Sequence, residues 1–150
     1  MEFGVRVGHE NDAAGISAVI LRALREINAK DYAVDIIQRV ELSFSPSAVR
    51  DLIGKRKVFV AEIAGRIVGT ASLDGGVVRT VFVDPDAQGQ GVGRRLMGEV
   101  ELAARRAGVT MLTVPSSVTA EAFYVRLGFR AVRDSYHGEE RTIIMERALK

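Results

Sequence analysis

Val81-Phe82-Val83-Asp84-Pro85-Asp86-Ala87-Gln88-Gly89-Gln90-Gly91-Val92-Gly93-Arg94-Arg95 decides how this chain is read. Its first residues end an apolar, β-branched run, Val77 to Val83, that predicts a strand. Asp84-Pro85 stops that strand, because proline brings no N–H to a ladder. Further on, Leu96, Val100, Ala103, Ala104 and Ala107 share one helical face, and Gly108 follows as a stop. Between strand and helix, glycines at every second position leave backbone N–H groups uncovered and permit angles other residues avoid. A helix start carries unpaired donors and a positive partial charge, so an anion can dock there. Arg94 and Arg95 add charge, and a pyrophosphate suits such a cradle. A glycine-rich turn without a ligand fits the same residues. The spacing is not that of the dinucleotide fingerprint, and the lysine and hydroxyl residue of a P-loop are missing.

Upstream, Val58 to Ile63 and Arg66 to Leu73 read as two more strands, separated by the turn signals Ala64-Gly65 and Asp74-Gly75-Gly76. With Val77 to Val83 they predict an antiparallel meander. Phe3, Val5 and Val7 alternate as a short strand, and Asn11 or Asp12 is placed to cap a helix that buries Ile16, Val19, Ile20, Ala23, Leu24 and Ile27. A second helix fits Val34 to Leu42. Ser45-Pro46 opens a third, expected to run to Ile53 and end at Gly54. Downstream come a strand over Thr110 to Val114, a helix over Thr119 to Leu127 closed by Gly128, and strands at Phe129 to Arg133 and Thr142 to Arg147 around Gly138. No linker divides the chain. The expectation is one α/β (α+β) domain over residues 1–150, a mixed and mostly antiparallel sheet flanked by helices.

The 150 residues are 47% hydrophobic and 27% charged, the values of an ordinary globular domain. Net charge is only +2, with arginines scattered among acids, so neither a nucleic-acid surface nor a membrane partner is expected. Without cysteine, disulfides, zinc–thiolate sites and an acyl-cysteine intermediate are excluded. His9 and His137 lie far apart, and no metal site is expected. No apolar run spans a bilayer, and the acidic, alternating start is unlike a signal peptide, so a cytoplasmic protein is expected.

A second stretch sharpens the first. Leu112-Thr113-Val114 is followed by Ala120-Glu121-Ala122-Phe123-Tyr124-Val125-Arg126-Leu127-Gly128-Phe129. Together with Gln88, Gly91 and Gly93 this order closely resembles the two motifs of the GNAT N-acetyltransferase superfamily. The resemblance is firm over residues 58–134 and weaker before residue 45. It implies an acetyl-CoA-dependent transferase acting by direct attack of an amine on the thioester in a ternary complex. It implies backbone contacts from Val81, Phe82 and Val83 to the pantetheine arm and the oxyanion. It implies a pyrophosphate held by Gln88-Gly89-Gln90-Gly91-Val92-Gly93-Arg94. Ser117 stands where many members carry an asparagine that contacts the cofactor arm, and its hydroxyl keeps only part of that capacity. Tyr124 occupies the position whose hydroxyl faces the thioester sulfur, where a phenol of pKa about 10 can protonate the departing thiolate. Packing in the core beside Phe123 is the other reading of that ring.

The arrangement expected from this is an acceptor pocket built by Asn28 to Leu42 and by Tyr136-His137. Asp31, Asp35 and Glu41 are placed to attract a cationic amine. Asp31, Glu41, Asp74 and His137 are candidate bases, none assigned. A small-molecule amine is favoured over a peptide or protein amine. A monomer or homodimer is expected, and a non-catalytic acetyl-CoA sensor is the alternative reading.

Overall fold

The computed structural model describes residues 2–150. Seven strands form one sheet in the order β1-β2-β3-β4-β5-β7-β6. They are β1 (Gly4–Val7), β2 (Lys57–Ile63), β3 (Arg66–Asp74), β4 (Val77–Val83), β5 (Met111–Ser117), β6 (Arg130–His137) and β7 (Glu140–Ala148). The helices are α1 (Ala13–Glu26), α2 (Val34–Glu41), α3 (Pro46–Lys55), α4 (Val92–Arg106) and α5 (Glu121–Arg126). The expected mixed sheet and meander are present. Every neighbouring pair is antiparallel except β4 and β5. No helix among the described residues is long and apolar enough to cross a membrane.

Alternation along β2 sends its side chains to two cores. Val58 and Val60 pack with Ile16, Ile20 and Leu24 of α1 and Val49 of α3. Phe59 and Ala61 pack on the other face with Leu96 and Val100 of α4. Gly69 of β3 permits the close seat of α4: a Cβ there would lie 2.9 Å from Val92 Cγ1 and 3.0 Å from Leu96 Cδ1. The absence of a side chain at Gly69 thus sets how deeply the first turn of α4 sits on the sheet.

Several expected boundaries differ, each for a local reason. Asp12 stands at the cap position of α1 as expected, but its carboxylate makes no cap bond; it is drawn to the Arg6 guanidinium at 2.9 Å and to the His9 N–H at 2.8 Å. Arg6 holds that carboxyl below its usual range. Gly54 does not end α3, which continues to Lys55 because Arg56 is the residue that turns extended. Ser45 does cap it, accepting from Ala48 N at 3.2 Å. β5 runs on through Pro115 to Ser117 because β7 pairs with it that far, Ser117 opposite Thr142. α5 is shorter than Thr119 to Leu127, its approach being a turn that Ser117 closes. β6 and β7 extend to His137 and from Glu140, meeting at Gly138.

Gly69→Ala is expected to destabilise the fold by about 1–3 kcal/mol, the cost of overpacking a filled site. Gly98→Ala, exposed on α4 with nothing near its new Cβ, is expected to stabilise by about 0.5–1 kcal/mol. Urea unfolding of both variants measures the difference; equal and small effects would remove the seat of α4 from Gly69.

Candidate active site

The site begins where the sheet comes apart. β4 and β5 pair at a single register position, Val77 with Thr113, supported by Thr113 N–H donating to Gly76 O at 3.0 Å. Past that point two features keep the strands separate. Thr113 N–H points towards β4, so by the two-residue period the nitrogen of Pro115 faces the same side, and it has no hydrogen to donate. β4 meanwhile bulges between Arg79 and Phe82 relative to β3. At the bulge Thr80 takes a φ of +55°, which a β-branched residue adopts only under constraint. Arg56 holds it, donating to Thr80 Oγ1 at 3.1 Å, while Ser72 Oγ donates to Arg79 O at 2.7 Å.

A cavity of about 660 Å³ opens at this parting. Val81, Phe82 and Val83 form one wall and Val114 to Ser117 the facing one. The glycine turn closes one end. Gly91 occupies the cap position of α4 with φ +80°, and no side chain caps the helix. The first intrahelical bond is Arg95 N–H to Gly91 O, so the N–H groups of Val92, Gly93 and Arg94 lie ahead of the helical ladder. Gln88 Nε2 donates to Val83 O at 3.1 Å and ties the turn back to β4. α5 packs on the turn, since a Cβ at Gly93 would meet the Phe123 ring at 3.2 Å. Asp84 is buried before the turn, gripped by Arg22 of α1 at 2.8 Å and by Asp86 N–H at 2.9 Å.

Gln88, Gly89, Gly91, Val92, Gly93 and Arg94 all line the cavity; Gln90 is exposed and does not. Ser117 lines it too, with its hydroxyl accepting from Ala120 N–H at 3.1 Å. Tyr124 is 4% exposed, borders the cavity, and stacks edge-on with Phe123 and Phe129. Its hydroxyl has no hydrogen-bond partner among the described residues, and burial pushes the phenol pKa well above its ordinary value. The ring is therefore both a core aromatic and a cavity-facing phenol.

The four candidate bases do not join it. Asp31 accepts from Thr119 Oγ1, Glu41 is held by Arg25 at 2.6 Å, Asp74 pairs with Arg79, and His137 is exposed on the β6–β7 hairpin. None lines the cavity, nor does Asp35. The expected attraction of a cation by Asp31, Asp35 and Glu41 therefore has no carboxylate on the wall to act through. The carboxylate that does line it is Glu140, ion-paired with Arg39 at 3.1 Å. Glu140 was not legible in the sequence, because the hairpin register that brings β7 between β5 and β6 places it. Tyr32, inside the expected Asn28 to Leu42 region, lines the cavity and spends its hydroxyl on structure, donating to Arg141 O at 2.8 Å and accepting from Val118 N–H at 2.7 Å.

A family model described as the acetyltransferase (GNAT) domain matches residues 28–145. The glucosamine 6-phosphate N-acetyltransferase of Trypanosoma brucei brucei is 36% identical over 86 residues, which are 50% of this chain and 58% of that protein. A GCN5-related N-acetyltransferase from Rhodopseudomonas palustris shares the fold with a TM-score of 0.92 at 24% identity, over 99% of this chain and 97% of that one. The PaiA N-acetyltransferase from Thermoplasma acidophilum, solved in complex with coenzyme A, gives 0.85 at 16% identity, over 99% of this chain and 100% of its own.

Burial also raises the Tyr32 phenol. In an alkaline titration read by tyrosinate absorbance, Tyr124→Phe is expected to remove a component that ionises above the ordinary phenol range near 10. Loss of a component at or below 10 would contradict the buried setting of Tyr124.

Proposed function

The chain belongs to the GNAT acetyltransferase family, and we propose that it carries the acetyl group of acetyl-CoA to a small amine by direct attack within a ternary complex. The observation that carries this reading is the parting of β4 from β5, with an uncapped helix start at one end and the Tyr124 phenol bordering the same cavity. Its volume falls within the range of small-molecule sites, roughly 300–1,000 Å³, which fits a bound coenzyme.

In this reading the N–H groups of Val92, Gly93 and Arg94 and the Arg94 guanidinium hold the pyrophosphate. The backbone of Val81 to Val83, left without a partner strand, pairs with the pantetheine arm. The amine nitrogen forms its bond to the carbonyl carbon, with a backbone N–H near Phe82 or Val83 donating to the oxyanion. The carbon–sulfur bond then breaks, the nitrogen releases its proton to water, and the sulfur departs as a thiolate. Tyr124 donates a hydrogen bond to that sulfur. Burial holds the phenol proton more tightly than in water, and a thiolate of ordinary basicity, pKa about 8.5, does not strip it. Tyr124 therefore stabilises the departing charge, and the thiol takes its final proton from solvent. The attacking amine must be in its neutral form, and Glu140, paired with Arg39, is not left free to hold an ammonium.

Tyr124→Phe keeps the ring and removes one donor. It is expected to lower kcat by about 10²- to 10³-fold while leaving the acetyl-CoA KM nearly unchanged. Thiol release followed at saturating acceptor measures this. A kcat within about threefold of the parent, with chemistry limiting, would take Tyr124 out of the reaction.

A further inference from the structure

The acceptor side of the cavity is apolar. Leu24, Ile27, Ile36, Ile37, Val40 and Phe44 line it, and Phe44 meets Phe82 edge-on at 6.0 Å between ring centroids. Its polar side chains are nearly all committed within the protein. The Tyr32 hydroxyl uses both its donor and an acceptor site, Thr119 donates to Asp31, Thr142 donates to Ser135 O, and Glu140 is paired with Arg39. One is left over. Asn28, 8% exposed at the turn after α1, lines the cavity, and its carboxamide makes no hydrogen bond among the described residues. Its amide atoms are open to the cavity and not sealed in the packed interior, so two donors and an acceptor oxygen stand free for a ligand group.

Charge narrows the ligand further. The cations on the cavity wall are Arg94, in the first turn of α4, and Arg126, in the last turn of α5 beside the glycine turn that Phe123 touches. Neither belongs to the α1–α2 wall. The α1–α2 wall offers neither a cation for a phosphate nor an unpaired carboxylate for an ammonium. A charged acceptor body would lose water there without compensation.

We propose that the acceptor is a monoamine carried on an apolar or aromatic body, and that Asn28 is the specificity-determining residue that hydrogen-bonds its polar end. This rests on the acetyl-transfer reading above. An apolar wall with a single hydrogen-bonding group favours a compact amphipathic amine and disfavours polyamines and sugar phosphates.

The test compares 2-phenylethylamine, spermidine and glucosamine 6-phosphate as acceptors for the intact protein, with thiol release from acetyl-CoA as the readout. The expected kcat/KM for 2-phenylethylamine exceeds that for the other two by at least about tenfold, the discrimination of one buried contact. Asn28→Ala is expected to lower kcat/KM for 2-phenylethylamine by about tenfold. The acetyl-CoA KM and the melting temperature should stay close to the parent's, because Asn28 holds nothing else in place. Preference for spermidine or glucosamine 6-phosphate would overturn the acceptor class while leaving acetyl transfer standing. An equal loss in acetyl-CoA KM and stability would reduce Asn28 to a structural residue and overturn its assignment. Failure of every amine to release thiol, with acetyl-CoA shown to bind by thermal shift, would remove the acetyl-transfer reading and this inference together.

Discussion

A sheet gains stability by completing its ladder, and here the ladder between β4 and β5 stops after one register pair. The cavity exists because of that interruption. Two residues enforce it from opposite sides: Pro115 cannot donate towards β4, and Thr80 holds β4 in a bulge at positive φ. The strain is of order 1–3 kcal/mol for such a backbone conformation. It is offset by the Arg56 and Ser72 hydrogen bonds and by the unbroken pairing of β4 with β3 and of β5 with β7. The unpaired backbone of β4 is thereby turned towards the cavity instead of another strand.

The two ends of the gap are tied to different parts of the fold. At the glycine-turn end, α4 is seated by Gly69 and the turn is pinned by Gln88 to β4 and by Asp84 to Arg22. Arg22 lies on α1, two residues before the Leu24 that lines the cavity. Helix α1 thus lines the cavity through Ala23 and Leu24 and braces the residue before the glycine turn through the Arg22–Asp84 ion pair. The β6–β7 hairpin completes the other end through Glu140 and through Arg141 O, which anchors Tyr32.

Much of this was legible in the sequence where local chemistry fixes local structure. Ser45-Pro46 opened α3 as read, and the glycine turn lies between β4 and α4 where the spacing put it. The meander and the final hairpin followed from alternation and turn residues. What was not legible depended on partners distant in the chain. Asp12 takes the cap position of α1 as read, yet Arg6 across the turn claims its carboxylate. Gly54 reads as a stop, yet the bond from Arg56 N–H to Leu52 O carries the helix past it. The acidic residues near the second helix looked like a cationic lure, but Arg25 holds Glu41, and Asp31 serves Thr119. The isolation of Asn28 could emerge only once every neighbouring donor and acceptor had been paired.

We propose that acetyl-CoA occupies the gap where β4 leaves β5. Amide hydrogen exchange read with and without acetyl-CoA tests this most directly, because backbone N–H groups without a partner strand exchange readily until a ligand covers them. The account requires slowed exchange in two segments, residues 80–83 of β4 and residues 89–94 of the turn, with β1 and the interior of β2 unchanged. Protection confined to the turn, or spread evenly over the sheet, would contradict a cofactor seated between the parted strands.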